Sequence, residues 1–324
     1  MNCLYCGKPL PYPASLQETS STWHDSCVKK FFLTNKLPDI DISDRVLEQI
    51  AAENVIKGFT VTGVQKKISL HLTQDNDPRL TLVNYPIGYI LKPQSAEYIA
   101  LPEAEYLAMQ MAAKTGIKTV PFAMIRMQKN SYAYITRRID RILADRKTSL
   151  LQKLAMEDFC QLSERLTEDK YRGSYESCAR IISRYSVIPG LDLSELFLRI
   201  VFSYVIGNSD MHLKNFSLIE TAPYSQQYAL SDAYDILPVN VVSPEDEEQF
   251  ALTLNGKKRN IKRNDFLIFA ENCNIPQKSA EKMINKVASL QPLYISMCHD
   301  SYLPEDMKKT FEMLIVERVS ILLK

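Results

Sequence analysis

Three polar side chains in the second half of the chain have the types and spacing of a phosphoryl-transfer site. Asp210 precedes Asn215 by five residues in Gly207-Asn208-Ser209-Asp210-Met211-His212-Leu213-Lys214-Asn215, and Asp235 follows twenty residues later in Tyr234-Asp235-Ile236. The chemistry makes simple demands. A carboxylate must accept the proton of an attacking hydroxyl. An amide oxygen and a second carboxylate must hold Mg²⁺ on the phosphates, because this ion takes hard oxygen ligands. Asp210 suits the first task, Asn215 and Asp235 the second. Taken alone, an Asp and an Asn at this spacing also fit a capped helix end followed by a turn.

Order along the chain adds support. Lys92 ends the apolar run Tyr89-Ile90-Leu91-Lys92, and Glu105 lies on the next helical segment. A phosphate-binding Lys, a helix Glu that pairs with it, a base and a metal ligand follow one another in this order in protein kinases. The phosphate loop is less conventional. Neither G-x-G-x-x-G nor G-x-x-x-x-G-K-[ST] occurs. Instead Thr60-Val61-Thr62-Gly63-Val64-Gln65-Lys66-Lys67 precedes a strand-like run. One Gly, one Gln and two Lys can cradle phosphates through backbone N–H groups and charge. Composition alone favours an ordinary polar hairpin edge.

These groups need a frame. Leu196 to Ile206 is apolar but for Arg199 and Ser203, and far shorter than the ~20 residues of a membrane span. It reads as a buried helix that delivers the Asp210 loop, and Phe216 to Ile219 reads as the strand that receives it. Polar clusters between two buried elements are where catalytic groups tend to be placed. Upstream, Ile68, Leu70 and Leu72 alternate with polar residues and predict a strand. Tyr89 to Lys92, Phe122 to Met127 and Tyr132 to Arg137 predict three more. Pro102 to Thr115 predicts a helix with Ala104, Leu107, Ala108, Met111 and Ala112 on one face and Gly116 as its stop. A helix is also expected from Ser43 or Asp41 to Lys57. After Arg141 the pattern turns helical, over 156–167, 176–186, 193–206, 264–272, 278–290 and 304–323. The expected fold is α+β and bilobal, protein-kinase-like, with a β-rich N-lobe over 37–141 and a helical C-lobe over 142–324.

Composition bounds the rest. The 324 residues suffice for two cores and a small appendage, and a net charge of +1 gives no global bias toward nucleic acid or membrane. No secretory signal is visible at the start. Seven cysteines, four of them scattered, suit reduced thiols in a cytoplasmic protein better than a disulfide framework. The segment 1–36 stands apart. Cys3-x-x-Cys6 and His24-x-x-Cys27 are two ligand pairs seventeen residues apart, as a tetrahedral structural Zn²⁺ site requires. So small a module would take its folding energy from the metal. A redox Cys-x-x-Cys pair and chance are the rival readings. Five positive charges in seven residues, Lys257 to Arg263, read as a solvated loop or, more sharply, as a nucleic-acid contact.

The motifs together resemble the HipA-like Ser/Thr kinase toxins. Thr62-Gly63-Val64-Gln65-Lys66-Lys67 is similar to their G-x-Q-x-K loop, and Ile90-Leu91-Lys92-Pro93 to their Lys-bearing strand. Arg138-Ile139-Asp140-Arg141 resembles their R-x-D-R segment, and Glu157-Asp158-Phe159-Cys160-Gln161 their E-D-x-C-Q motif. Ser209 to Asn215 and Tyr234 to Ile236 resemble their catalytic loop and metal motif. The resemblance implies ATP-dependent protein phosphorylation with Asp210 as base and Asn215 and Asp235 on Mg²⁺. It implies a nucleotide site of Gly63, Val64, Gln65, Lys67, Lys92, Glu105, His212 and Lys214, with a hinge near Thr136 to Ile139. It further implies autophosphorylation at Thr60 or Thr62, a protein target such as an aminoacyl-tRNA synthetase, a DNA-binding antitoxin, and DNA only through that complex.

The chain also departs from the pattern. The longest members carry an extra N-terminal subdomain where this chain has its Cys/His segment. That resembles shorter members, some of which take the missing part from a separate small protein. Two other functional readings remain open: a kinase-like fold that binds without transferring phosphate, and an atypical small-molecule or lipid kinase.

Overall fold

The computed structural model describes residues 2–11, 22–40, 67–72, 79–81, 88–127, 131–145 and 150–324. The expected helix ending at Lys57 lies outside these residues. The chain divides into two compact units, 1–106 with 120–141, and 107–119 with 142–324.

The first unit is built on a six-stranded sheet ordered β1-β3-β2-β4-β6-β5. Its strands are β1 (Asp39–Ile40), β2 (Ile68–Leu72), β3 (Arg79–Thr81), β4 (Tyr89–Pro93), β5 (Phe122–Arg126) and β6 (Tyr132–Arg137). The period-two pattern sets the faces: Ile68 and Leu70 are buried while Lys67 and Ser69 are exposed. Strand β4 runs between β2 and β6, with Lys92 opposite Tyr134. The helix Leu101–Thr115 starts one residue earlier than Pro102 predicts.

The Cys/His segment is packed into this same unit. Its helix, Asp25–Phe32, buries Phe31 and Phe32 beside Tyr89, with ring centroids 5.7 and 5.5 Å away. The Tyr89 hydroxyl donates to the Phe31 carbonyl, and the Met124 N–H of β5 donates to the Leu4 carbonyl at 2.9 Å. The knuckle therefore occupies part of the sheet edge at β5, which would otherwise offer unpaired backbone groups.

The second unit is organised by the helix Pro189–Ile206. Pro189 suits its first turn, and Leu196, Phe197, Ile200, Phe202 and Val205 are all fully buried. Gly207 ends it at φ 70°, and a β-carbon there would come within 2.5 Å of Leu314 Cδ2. Glycine takes this left-handed turn into the Asp210 loop without strain or a clash. Flanking helices are Tyr175–Tyr185, Arg263–Asn272, Gln277–Ser289 and Glu305–Leu322, each within a few residues of expectation. The nine-residue helix Gln291–His299 was not expected.

One stretch differs in kind. A helix was predicted over 156–167, but Met156–Asp158 forms strand β9 and only Phe159–Leu162 turns helically. Strand β9 pairs antiparallel with β10 (Ser217–Glu220), which pairs in turn with β11 (Tyr228–Leu230). Arg141–Asp145 and Leu150–Lys153 are also strands, β7 and β8, paired with each other where a helical region was expected. Propensity here yields to tertiary pairing with the strand that follows the Asp210 loop.

Three of the five charges of the basic run are paired locally. Lys257 pairs with Asp265 at 2.8 Å, Lys258 with Glu248 at 3.5 Å and Arg259 with Glu247 at 3.0 Å. That favours the solvated-loop reading. Among the described residues no helix is long and apolar enough to cross a membrane.

Candidate active site and metal centre

The loop from Asn208 to Asn215 is held from several sides within the second unit. Asn215 closes a 3₁₀ turn, Leu213–Asn215, and its Oδ1 accepts the His212 N–H at 3.0 Å. That bond orients the carboxamide. Its Nδ2 lies 3.5 Å from the Asp235 carbonyl, so the loop and the Tyr234-Asp235-Ile236 segment meet. Asp235 has φ 55°, a left-handed backbone that Asp tolerates better than most residues. Tyr234 is half-buried; burial raises its phenol, which stays protonated, and its hydroxyl donates to the Lys214 carbonyl at 3.1 Å.

Lys214 reaches outside the loop. Its Nζ donates to Asp158 Oδ2 at 2.6 Å. Asp158 also caps the helical turn Phe159–Leu162, accepting the Gln161 N–H while Gln161 returns a bond to the Asp158 N–H. Lys214 is thus a brace between the loop and the Glu157-Asp158-Phe159-Cys160-Gln161 motif. From below, the buried Tyr175 hydroxyl donates to the Met211 carbonyl at 3.1 Å. The Leu213 N–H donates to the Lys170 carbonyl at 3.2 Å. Asp210 Oδ1 accepts the Tyr171 hydroxyl at 2.7 Å, and Asp210 Oδ2 lies 3.9 Å from His212 Nε2. The sequence reading missed Tyr171 and Tyr175. The only signal was a tyrosine just upstream of the helix Tyr175–Tyr185 and another at its first position.

In the first unit Lys92 and Glu105 are both buried and form an ion pair at 2.5 Å. Lys92 Nζ also stands 5.2 Å from the Tyr134 ring centroid. Thr136 is buried and donates to the Pro121 carbonyl at 2.9 Å. Arg138 grips Asp140 through two nitrogens at 2.8 and 2.9 Å, and Arg141 adds a further bond. Burial opposes the Asp140 charge, but these guanidiniums outweigh it and hold its carboxyl below the usual range. The Arg138-Ile139-Asp140-Arg141 segment is therefore a clasp, with Ile139 at its turn. Lys67 is exposed at the start of β2. Gly63, Val64, Gln65, Thr60 and Thr62 lie outside the described residues.

Cys3, Cys6, His24 and Cys27 converge, their ligand atoms all within 4.8 Å of one another. Gly7 at φ 70° lets the first knuckle turn, its N–H donating to the Cys3 carbonyl at 2.9 Å. His24 precedes the helix Asp25–Phe32, which presents Cys27 from its first turn. His24 Nε2 lies 3.0 Å from the Pro9 carbonyl, while Nδ1 faces Cys6 Sγ at 3.5 Å and Cys27 Sγ at 3.7 Å. A proton on Nε2 leaves the Nδ1 lone pair for a metal. Burial opposes the Cys3 thiolate, but the N–H groups of Cys6, His24 and Tyr5 outweigh it and bring the thiol to about 7. Burial and the neighbouring thiols push Cys27 up to about 12. Three soft sulfurs and one imidazole nitrogen fit zinc with no position left open.

A β-sheet unit with a buried Lys–Glu pair and a helical unit with a braced Asp/Asn loop define the mixed α+β fold of protein-kinase-like proteins. The chain belongs to the HipA-like C-terminal domain family, whose model matches residues 59–292. The structure is similar to that of Shewanella oneidensis HipA, solved in a complex with HipB and operator DNA. That likeness has a TM-score of 0.68 and 16% identity, over 84% of this chain and 71% of that one. It is also similar to the Helicobacter pylori proinflammatory kinase CtkA, with a TM-score of 0.52 and 17% identity over 72% of this chain and 86% of that one. In sequence it is 24% identical to a Haemophilus influenzae protein named "Putative kinase", over 77% of each chain. It is 29% identical to Sinorhizobium fredii "Putative kinase Y4dM" over 62% of this chain, and spans about half of that relative's length.

Proposed function

We propose that this protein is an ATP-dependent Ser/Thr protein kinase acting as the toxin of a toxin–antitoxin pair. The observation that carries the reading is the braced loop, in which Asn215 meets the Asp235 segment and the Asp210 carboxylate is held by the Tyr171 hydroxyl. In this reading the Asp210 carboxylate takes the proton of the acceptor hydroxyl as that oxygen bonds to the γ-phosphorus and ADP leaves. Asn215 and Asp235 supply the hard oxygens that fit Mg²⁺, which when bound neutralises charge on the phosphates. Lys92, kept in place by Glu105, is assigned to the ATP phosphates, and by its resemblance so is the Gly63-Val64-Gln65-Lys66-Lys67 motif. Thr136 and Ile139 stand at the adenine hinge, and His212 and Lys214 support the loop. Zinc on Cys3, Cys6, His24 and Cys27 is structural.

A DNA-binding antitoxin is the proposed partner, by analogy with the HipA–HipB–DNA assembly of the similar structure. An aminoacyl-tRNA synthetase, or another protein of comparable chemistry, is the proposed target, in the cytoplasm. A small separate protein standing in for an N-terminal subdomain is a further proposed partner. The test is incubation of the purified chain with Mg²⁺ and γ-labelled ATP in a cell lysate. Label is expected on Ser or Thr of a discrete protein. Label confined to a small molecule or lipid, or no transfer at all, contradicts the reading.

A further inference from the structure

We propose that Tyr171 is a positioning residue for Asp210, its hydroxyl fixing the carboxylate in the rotation that meets the acceptor hydroxyl. The inference rests on reading Asp210 as the base.

A base whose side chain is partly open to solvent needs an orienter. The Asp210 side chain is 34% exposed, and the terminal torsion of an Asp is broad. Catalytic bases are commonly held by a third group, and here the hydroxyl at 2.7 Å from Oδ1 has that place. The tyrosine is itself fixed. Its ring meets His212 edge-on, with centroids 5.1 Å apart, and Lys170 Nζ stands 4.8 Å from its centroid. The Lys170 carbonyl is tied to the Leu213 N–H, so the Lys170-Tyr171 dipeptide is fastened to the loop by backbone as well as ring.

Packing does not explain the residue. Tyr171 is 43% exposed, whereas Tyr175, which holds the Met211 carbonyl, is fully buried. Burial and the Asp210 charge raise the Tyr171 phenol, so it keeps its proton and donates it. A clamped, partly exposed phenol aimed at a carboxylate orients that carboxylate by a charge-assisted hydrogen bond.

The test compares full-length wild type, Y171F, D210N and the double variant in transfer from γ-labelled ATP, with autophosphorylation as the readout. Y171F keeps the ring and should keep the melting temperature and the KM for ATP. Its kcat should fall about ten- to a hundredfold, less than the ~10²–10⁴-fold that loss of the base itself would cost. In the D210N background Y171F should cost nothing further, because it acts only through Asp210. Wild-type kcat in Y171F with an inactive D210N overturns the proposal and leaves the base intact. A raised KM at unchanged kcat, or an additive loss in the double variant, also overturns it. Phosphate found on Tyr171 of the wild type does so too, by making it an acceptor instead of a fixture. Full activity in D210N removes the base reading itself, and the proposal with it.

Discussion

Lys214 Nζ lies 2.6 Å from Asp158 Oδ2, joining two motifs that stand more than fifty residues apart in sequence. Both side chains are mostly buried, at 20% and 14% exposure, so the pair is screened less than a surface bridge. Asp158 does two jobs: it caps the turn Phe159–Leu162 and anchors the loop through Lys214.

The two jobs separate by substitution. Asn retains capping ability but loses the charge, whereas Ala loses both. D158A should cost about 1 kcal/mol or more from the cap alone, read by denaturant unfolding. D158N should unfold closer to wild type yet share much of the loss of turnover. Equal turnover in D158N and wild type would remove the brace from the account.

Lys92 and Glu105 are buried together, so removing one leaves an uncompensated charge. K92M should cost about 3–5 kcal/mol. Replacing both, as in K92M/E105L, should recover most of that stability, because well-packed apolar groups substitute for a buried pair at little cost. Neither variant should transfer phosphate. Restored transfer in the stable double variant would show that Lys92 serves folding alone.

The Cys/His module carries its own reporter. Trp23 is the sole tryptophan, is buried, and stacks on Tyr5 with centroids 5.6 Å apart. Freshly purified protein should hold about one zinc per chain by elemental analysis. Chelation, or C6S, should release it and red-shift the Trp23 emission as the ring meets water. Metal-free protein with an unshifted spectrum would contradict a structural zinc.

Thr60 and Thr62 lie outside the described residues, and their regulation is argued from sequence. A phosphate there adds about −1.5 to −2 charge and competes with ATP for Lys66 and Lys67. Mass spectrometry after incubation with ATP should find it at one of the two threonines, and D210N should lack it. The modified form should bind ATP more weakly. Equal affinity of both forms defeats the regulatory claim.

Much of this was legible because local pattern and tertiary fate agreed. Ile68, Leu70 and Leu72 alternate and form a strand, and the run to Ile206 is a buried helix stopped by Gly207. The metal cluster was legible too, since ligand pairs at knuckle spacing leave little freedom. Met156–Asp158 reads as helix because Met156, Phe159 and Cys160 stand at i, i+3 and i+4, the spacing of one helical face. The capping box from Asp158 to Gln161 marks the true helix start. The Asp210–Asn215 spacing could be read from the sequence, but the contact of Asp210 with Tyr171 could not. That bond spans thirty-nine residues and involves a tyrosine with no periodic neighbours. Side-chain partners of this kind are set by how helices pack, which no short window of sequence records.

The claim on which the rest depends is that Asp210 is the base. Its side chain is 34% exposed, so Asn is accommodated there without a buried penalty. The decisive measurement is phosphoryl transfer by D210N against wild type at saturating Mg²⁺ and ATP, with melting temperatures taken in parallel. Turnover should fall by about 10²–10⁴-fold while the melting temperature and ATP affinity stay near wild type. D210N protein that transfers phosphate at the wild-type rate would contradict the account.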